Sequence, residues 1–241
     1  NTPEAVWPTE NEIELPIDFL TKLKILKLQN SSLIQYNNLN DPLMGYINES
    51  ALGSSNNKIN IAIKGNPNFG LVRTIMLGVR NNSINRVVRG EVWFNELRMS
   101  DMDNKGGMAA VANMDTNFAD LANVSATGRM STIGFGSIEQ GANERSREDV
   151  FQYDVVTNLQ IGKLLPNKWK MTIPFNYAVG EEIITPEYDP FNQDLKLQQL
   201  LDITENDSDK EFYKNRAIEY TKRKSINFIG VKKDFGEKAR Q

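Results

Sequence analysis

The chain has 241 residues, 39% hydrophobic and 24% charged, a composition that suits one large domain or two small ones and excludes a disordered chain. Its 28 basic and 31 acidic residues leave a net charge of −3, which gives no electrostatic footprint for nucleic acid. Cysteine and histidine are both absent, which excludes disulfides, thiolate chemistry, Cys- or His-ligated metals and any triad with a histidine base.

Residues 1–30 open with Trp7-Pro8 and Pro16. In TKLKILKLQN (21–30), Leu23 and Ile25 alternate with lysines, which predicts a strand over a short amphipathic helix. Residues 30–58 are rich in Asn, Ser and Gly and read as loop, with one element hidden around LMGYI (43–47). KINIAIKG (58–65) sets Ile59, Ile61 and Ile63 against Asn60, Ala62 and Lys64, a half-buried strand. GNPNFG (65–70) is a turn, RTIMLGVRN (73–81) a second strand, NNSIN (81–85) a turn and RVVRGEVWFNELRM (86–99) a third strand. Three such strands predict an antiparallel meander within a β-sandwich-like segment over 1–100. In its last strand Val92 and Phe94 share one face and Trp93 takes the other, while Asn95, Glu96 and Arg98 run to the rim.

After SDMDNKGG (100–107) the pattern changes. From Met108 to Met130 small apolar residues alternate with Asn, Asp, Ser and Thr, with an interruption near Asp120-Leu121. That predicts two strands of about ten residues joined near 119–123, longer than the usual soluble strand of about five or six and suited to a membrane hairpin. FQYDVVTNLQIG (151–162) places Phe151, Tyr153, Val155, Leu159 and Ile161 on one face. KMTIPFNYAVG (170–180) does the same with Met171, Ile173, Phe175, Tyr177 and Val179, and KLLPNKW (163–169) turns between them. Pro174 within that strand requires an edge, a bulge or a break. Residues 181–209 read as an irregular insertion, 210–223 as a helix carrying Phe212, Ala217 and Tyr220, and KSINFIGVKKDFG (224–236) as strand. Residues 101–241 are therefore read as barrel strands with a loop-helix insertion at about 181–223. No run approaches the roughly 20 apolar residues of a spanning helix, which leaves membrane strands untouched.

No motif demands a catalytic, metal or cofactor assignment. GFGSIEQG (134–141) lacks the third glycine of a dinucleotide fingerprint. Asp202, Glu205, Asp207 and Asp209 lack EF-hand spacing and read as a solvated loop entering a helix, with Asp207, Ser208 or Asp209 as its cap. Glu181, Glu182, Glu187 and Asp189 are candidates for paired carboxylates only if the fold brings two together, and otherwise are solvated. In EYDPFNQDLKL (187–197), Tyr188, Asp189, Pro190 and Phe191 form either a docking loop or an ordinary Asp-Pro turn. The competing functional readings are a secreted carbohydrate-binding β-sandwich, with Trp93 or Trp169 as a stacking platform, and an Asp/Glu-dependent hydrolase.

Eight stretches in order carry a resemblance: VWPTENE (6–12), GNPNFG (65–70), GVRN (78–81), GEVWFNELRMS (90–100), NFADLANVSATG (117–128), GFGSIEQ (134–140), TPEYDPFNQDLKL (185–197) and the strand over 224–235. Together they are similar to the SprA (Sov) family of Bacteroidetes outer-membrane proteins. The resemblance implies a mainly β fold of antiparallel strands within a very large outer-membrane β-barrel, with a β-sandwich-like insertion and one short helix. It implies the translocon of the type IX secretion system, which exports folded proteins to the cell surface and supports gliding motility. Its implied partners are a PorV-like small outer-membrane barrel protein, a periplasmic plug protein, secreted substrate proteins and outer-membrane lipid, with no nucleic acid, no cofactor and no catalytic residues. The chain is far shorter than such a protein, so an internal fragment is expected. Polar faces would then line the lumen and apolar faces would meet lipid or packed insertions. GEVWFNELRMS becomes the closing strand of the non-barrel segment, with Trp93 and Phe94 packing on opposite faces and Asn95, Glu96 and Arg98 fixing the junction to wall strands that begin at Met108.

Overall fold

The computed structural model describes Pro8 and residues 11–36, 44–52, 59–81 and 85–235. Trp7, most of the NNSIN turn and the end of the last expected strand lie outside them. The fold is mainly β and antiparallel. It divides into two compact units, one of residues 1–102 with 188–210, the other of 103–187 with 211–241.

The first unit begins with helix α1 (Ile17–Leu28), where a strand is expected from the sequence. Pro16, with φ fixed near −62°, precedes it, and Asp18 sits in the first turn and Lys27 in the last. At the far end Asn30 adopts a left-handed φ of 50°. Its N–H donates to the Lys27 carbonyl at 3.1 Å, and the Ser31 N–H donates to that of Leu26 at 2.9 Å. Those two bonds close a Schellman cap. The helix lies against a meander of β1 (Gln35–Tyr36), β2 (Met44–Asn48) and β3 (Asn60–Lys64). Ile47 stands opposite Ile61, and with Leu23, Ile34, Leu52 and Ile63 they form a buried core. Only β3 of the expected 58–99 meander forms. Among the described residues 72–108 have no helix or strand, so the sandwich expected there is replaced by one three-stranded sheet under a helix.

The second unit is built on β4 (Ala109–Phe118), β5 (Ala122–Ser131), β6 (Glu148–Gln160), β8 (Pro174–Pro186) and β11 (Glu219–Phe228). They form one sheet in which each long strand pairs antiparallel with the next, an up-and-down meander. Ala119, at φ 48°, and the Leu121 N–H bonded to the Phe118 carbonyl at 3.1 Å make the β4–β5 turn where the alternation breaks. Pro174 interrupts a strand as expected: β7 (Met171–Thr172) precedes β8 and pairs separately with β12 (Lys232–Lys233).

The stretch 181–209 is more regular than its composition indicates. β8 runs on to Pro186, then β9 (Tyr188–Asp189), β10 (Asn192–Lys196) and α2 (Leu197–Ile203) follow. Helix α3 (Asp207–Ala217) ends six residues earlier than the 210–223 reading, and the chain turns directly into β11. Its first turn is capped by Asn206, whose Oδ1 accepts from the Ser208 N–H at 3.1 Å, rather than by Asp207, Ser208 or Asp209.

Candidate functional site

The side chains that distinguish this chain lie on the two faces of the five-stranded sheet. Because directly paired residues share a face, the register fixes five rows across the strands on each side. On one face the row at one end holds Ala110, Met130, Phe151, Ile183 and Tyr220. The row at the other end holds Phe118, Ala122, Leu159, Phe175 and Phe228. The Phe175 and Phe228 rings are 5.0 Å apart. Between these rows lie Ala112, Met114, Ala126, Val124, Val155, Val179, Tyr177 and Ile226.

Met114, Phe118, Phe151, Ile226 and Phe228 are each more than half exposed. An apolar face of this extent meets something other than water. Tyr220 and Phe228 stand about 26 Å apart along β11.

Charge enters that face only on its β8–β11 side. Glu181 pairs with Lys222 directly across the strands, the hydroxyls of Tyr153 and Tyr220 reach the same carboxylate, and Lys224 follows one row further in. Lysine stems of this length carry their ammonium groups towards a polar boundary.

The opposite face is polar and internally bonded. Ser125 donates to Asp115 across β4 and β5. Gln152 Nε2 donates to Asp154 Oδ2 at 3.0 Å, and Arg223 lies 3.9 Å from Glu182. Gly180 lies beneath Asp154: a Cβ there would stand 2.1 Å from Asp154 Oδ1, so the glycine leaves room for that carboxylate. One end row consists of Asn117, Asn123, Asn158, Asn176 and Asn227 in register across all five strands. Asn176 Nδ2 donates to Asn158 Oδ1 at 2.7 Å, and Asn227 Nδ2 to Asn176 Oδ1 at 3.5 Å.

Glu181 and Glu182 are neighbours on β8 and therefore project to opposite faces, so they cannot flank one substrate as paired carboxylates. Among the described residues no cluster of three or more acidic groups is placed to hold a metal ion.

In the first unit the EYDPFNQDLKL stretch folds as the β9–β10 hairpin, with Asp189 opposite Asn192. Asp189 is fully buried and accepts from Asn192 Nδ2 at 2.8 Å, while Phe191 at the tip is exposed. The hairpin is held by a residue that the sequence does not single out. Lys24 of α1 donates to both carboxylate oxygens of Asp194, at 2.6 and 2.8 Å, and the Phe69 N–H donates to Asp194 Oδ2 at 3.0 Å. Both charged side chains are under 5% exposed. Thus GNPNFG and DPFNQDLKL, far apart in sequence, meet on one buried ion pair. Tyr188 and Pro190 belong to this hairpin's β9 strand and turn.

The junction residues fall elsewhere than expected. Trp93 is 79% and Phe94 56% exposed and neither lies in a strand, so they do not pack on opposite faces of one. Asn95 is likewise exposed, and Glu96 has a left-handed φ of 47°. Arg98 lies 3.9 Å from Glu96 with both side chains in solvent, a pair of little energetic weight.

Residues 1–201 match a family model for the N-terminal region of SprA, described as a motility related/secretion protein. No curated protein matches the chain.

Proposed function

The chain belongs to the SprA family of motility-related secretion proteins, and on that premise we propose that its five-stranded sheet is a segment of an outer-membrane barrel wall that conducts folded proteins to the cell surface. One observation carries this reading. Strands of 10 to 13 residues form an up-and-down meander with an exposed apolar face, aromatic at both ends, and a hydrogen-bonded polar face. A wall strand needs about 9–11 residues, apolar towards lipid and polar towards a wet lumen. The edges, β4 and β11, would then pair with further wall strands, since a barrel leaves no edge open. Catalysis has no part in this reading. The polar face passes cargo in the type IX system, the apolar face meets outer-membrane lipid, and a PorV-like barrel protein and a periplasmic plug protein are its partners.

The test places single cysteines at Ala178 and Val179 in the full-length protein in its native membrane, where this region supplies no competing thiol. A water-soluble maleimide is expected to label position 178 and to spare 179, and a lipid-soluble one to label 179. A protein recovered without detergent, with both positions labelled from water, sinks the proposal.

A further inference from the structure

A cavity of about 290 Å³ opens between the GNPNFG turn and the β9–β10 hairpin, both in the first unit. Its floor is the buried Lys24–Asp194 ion pair. Four primary amides line it, those of Asn66, Asn68, Asn192 and Gln193. Pro190 and Phe191 stand at its lip, and Phe191 is 69% exposed. Part of the hydrogen-bonding capacity is used within the fold. Asn68 Oδ1 accepts from the Gly70 N–H at 2.9 Å, and Asn192 Nδ2 donates to Asp189 Oδ2 at 2.8 Å. Asn66 and Gln193 are exposed, and each amide offers two donors and an acceptor.

The donor set decides the class of ligand. An anion needs a cation with charge to spare, and Lys24 is neutralised by Asp194. A metal ion needs several oxygen ligands with carboxylates among them, and among the described lining residues Asp194 is the one carboxylate and is already paired. An apolar ligand would strip water from four amides without replacing their hydrogen bonds. An extended peptide needs a groove or an open strand edge, whereas this cavity lies at the small end of the range for ligand sites. A neutral, ring-sized ligand dense in hydroxyls meets all four conditions. We propose that the cavity binds one neutral sugar ring, a hexose or N-acetylhexosamine, with Asn66 and Gln193 bonding to its hydroxyls and Phe191 covering an apolar face of the ring. An amide presents a donor and an acceptor side by side, and so do two neighbouring hydroxyls, so each such pairing exchanges two hydrogen bonds. The C–H face of a pyranose is apolar and packs on an aromatic ring. The site lies outside the five-stranded sheet, so the inference does not depend on the barrel reading.

The test is saturation-transfer NMR on the full-length protein with glucose, galactose, mannose and N-acetylglucosamine, against glucuronate and an N-acetylated tripeptide amide as controls. At least one neutral sugar is expected to be saturated above both controls. Equal saturation of its methyl glycoside identifies the end of a glycan chain as the ligand, and loss of saturation identifies a free sugar. Asn66→Ala combined with Gln193→Ala is expected to weaken binding at least about tenfold, and Phe191→Ala to weaken it as well. All three side chains are exposed, so denaturant-induced exposure of residues 17–64 is expected to stay unchanged in these variants. No sugar saturated above the controls, or saturation that the variants leave intact, overturns the proposal. Neither result bears on whether positions 178 and 179 see water or lipid.

Discussion

At the scale of the single residue, Lys24 and Asp194 show how burial changes what a charge means. Two ions out of water are tolerable only when each is paired and the remaining lone pairs are filled, and here a backbone N–H completes the carboxylate. Asp194→Asn leaves the Lys24 ammonium buried without its counter-charge, which costs about 3–5 kcal/mol. The expected result is earlier denaturant-induced exposure of residues 17–64 in the full-length protein, read by pulse proteolysis, with the five-stranded sheet unaffected. Lys24→Met combined with Asp194→Leu is expected to recover most of the loss, because well-packed apolar substitutes remove the uncompensated charge. Equal stability of Asp194→Asn and the parent would mean that the pair does not hold the hairpin. The same lysine explains why α1 reads as a strand in the sequence. Lysine at 22 and 24 imitates a polar β face, and nothing near residue 24 announces a partner 170 positions away.

At the scale of the element, the long strands are legible because their two faces have different chemistry, and Val155 and Val156 put that difference to a direct test. They are the same residue, one position apart on β6. Val155 shares a row with Met114, Ala126 and Val179, whereas Val156 shares one with Asp115, Ser125, Ala178 and Ser225. If the apolar face meets lipid, Val155→Arg costs about 2–4 kcal/mol near mid-depth. Val156→Arg, facing water, is expected to stay within about 0.5 kcal/mol of the parent. The measure is the urea midpoint of the folded protein in lipid vesicles, and a larger loss at 156 than at 155 would show the faces to be reversed. Strand pairing was less legible than strand pattern. RTIMLGVRN and RVVRGEVWFNELRM alternate as well as KINIAIKG does, but among the described residues only the last finds a neighbour, in β2. Alternation records which side of a strand is apolar and carries no address for the strand that pairs with it. Trp93 and Phe94 lie outside any strand for that reason, and the asparagine row becomes legible only once five strands are in register.

At the scale of the whole molecule, the meander assigns every connection to one of two ends. The 119–121 turn and the 161–173 connection leave from one end, and the 132–147 loop and the 187–218 insertion from the other. Outer-membrane barrels keep short turns on the periplasmic side and long loops outside. If the sheet is such a wall, that rule places the second end at the cell surface. Ile138 and Leu164 report the two ends, since both are well exposed and neither lies in a strand. In intact cells a polymer-linked maleimide too large to cross the membrane is expected to modify Ile138→Cys and to leave Leu164→Cys untouched until the outer membrane is permeabilised. The opposite pattern would invert the barrel without disturbing its wall, because the faces of β4 to β11 do not depend on which end points outwards. Modification of both sites in intact cells would be the more damaging result: it would place both ends of the sheet on one side of the membrane, which no spanning strand permits.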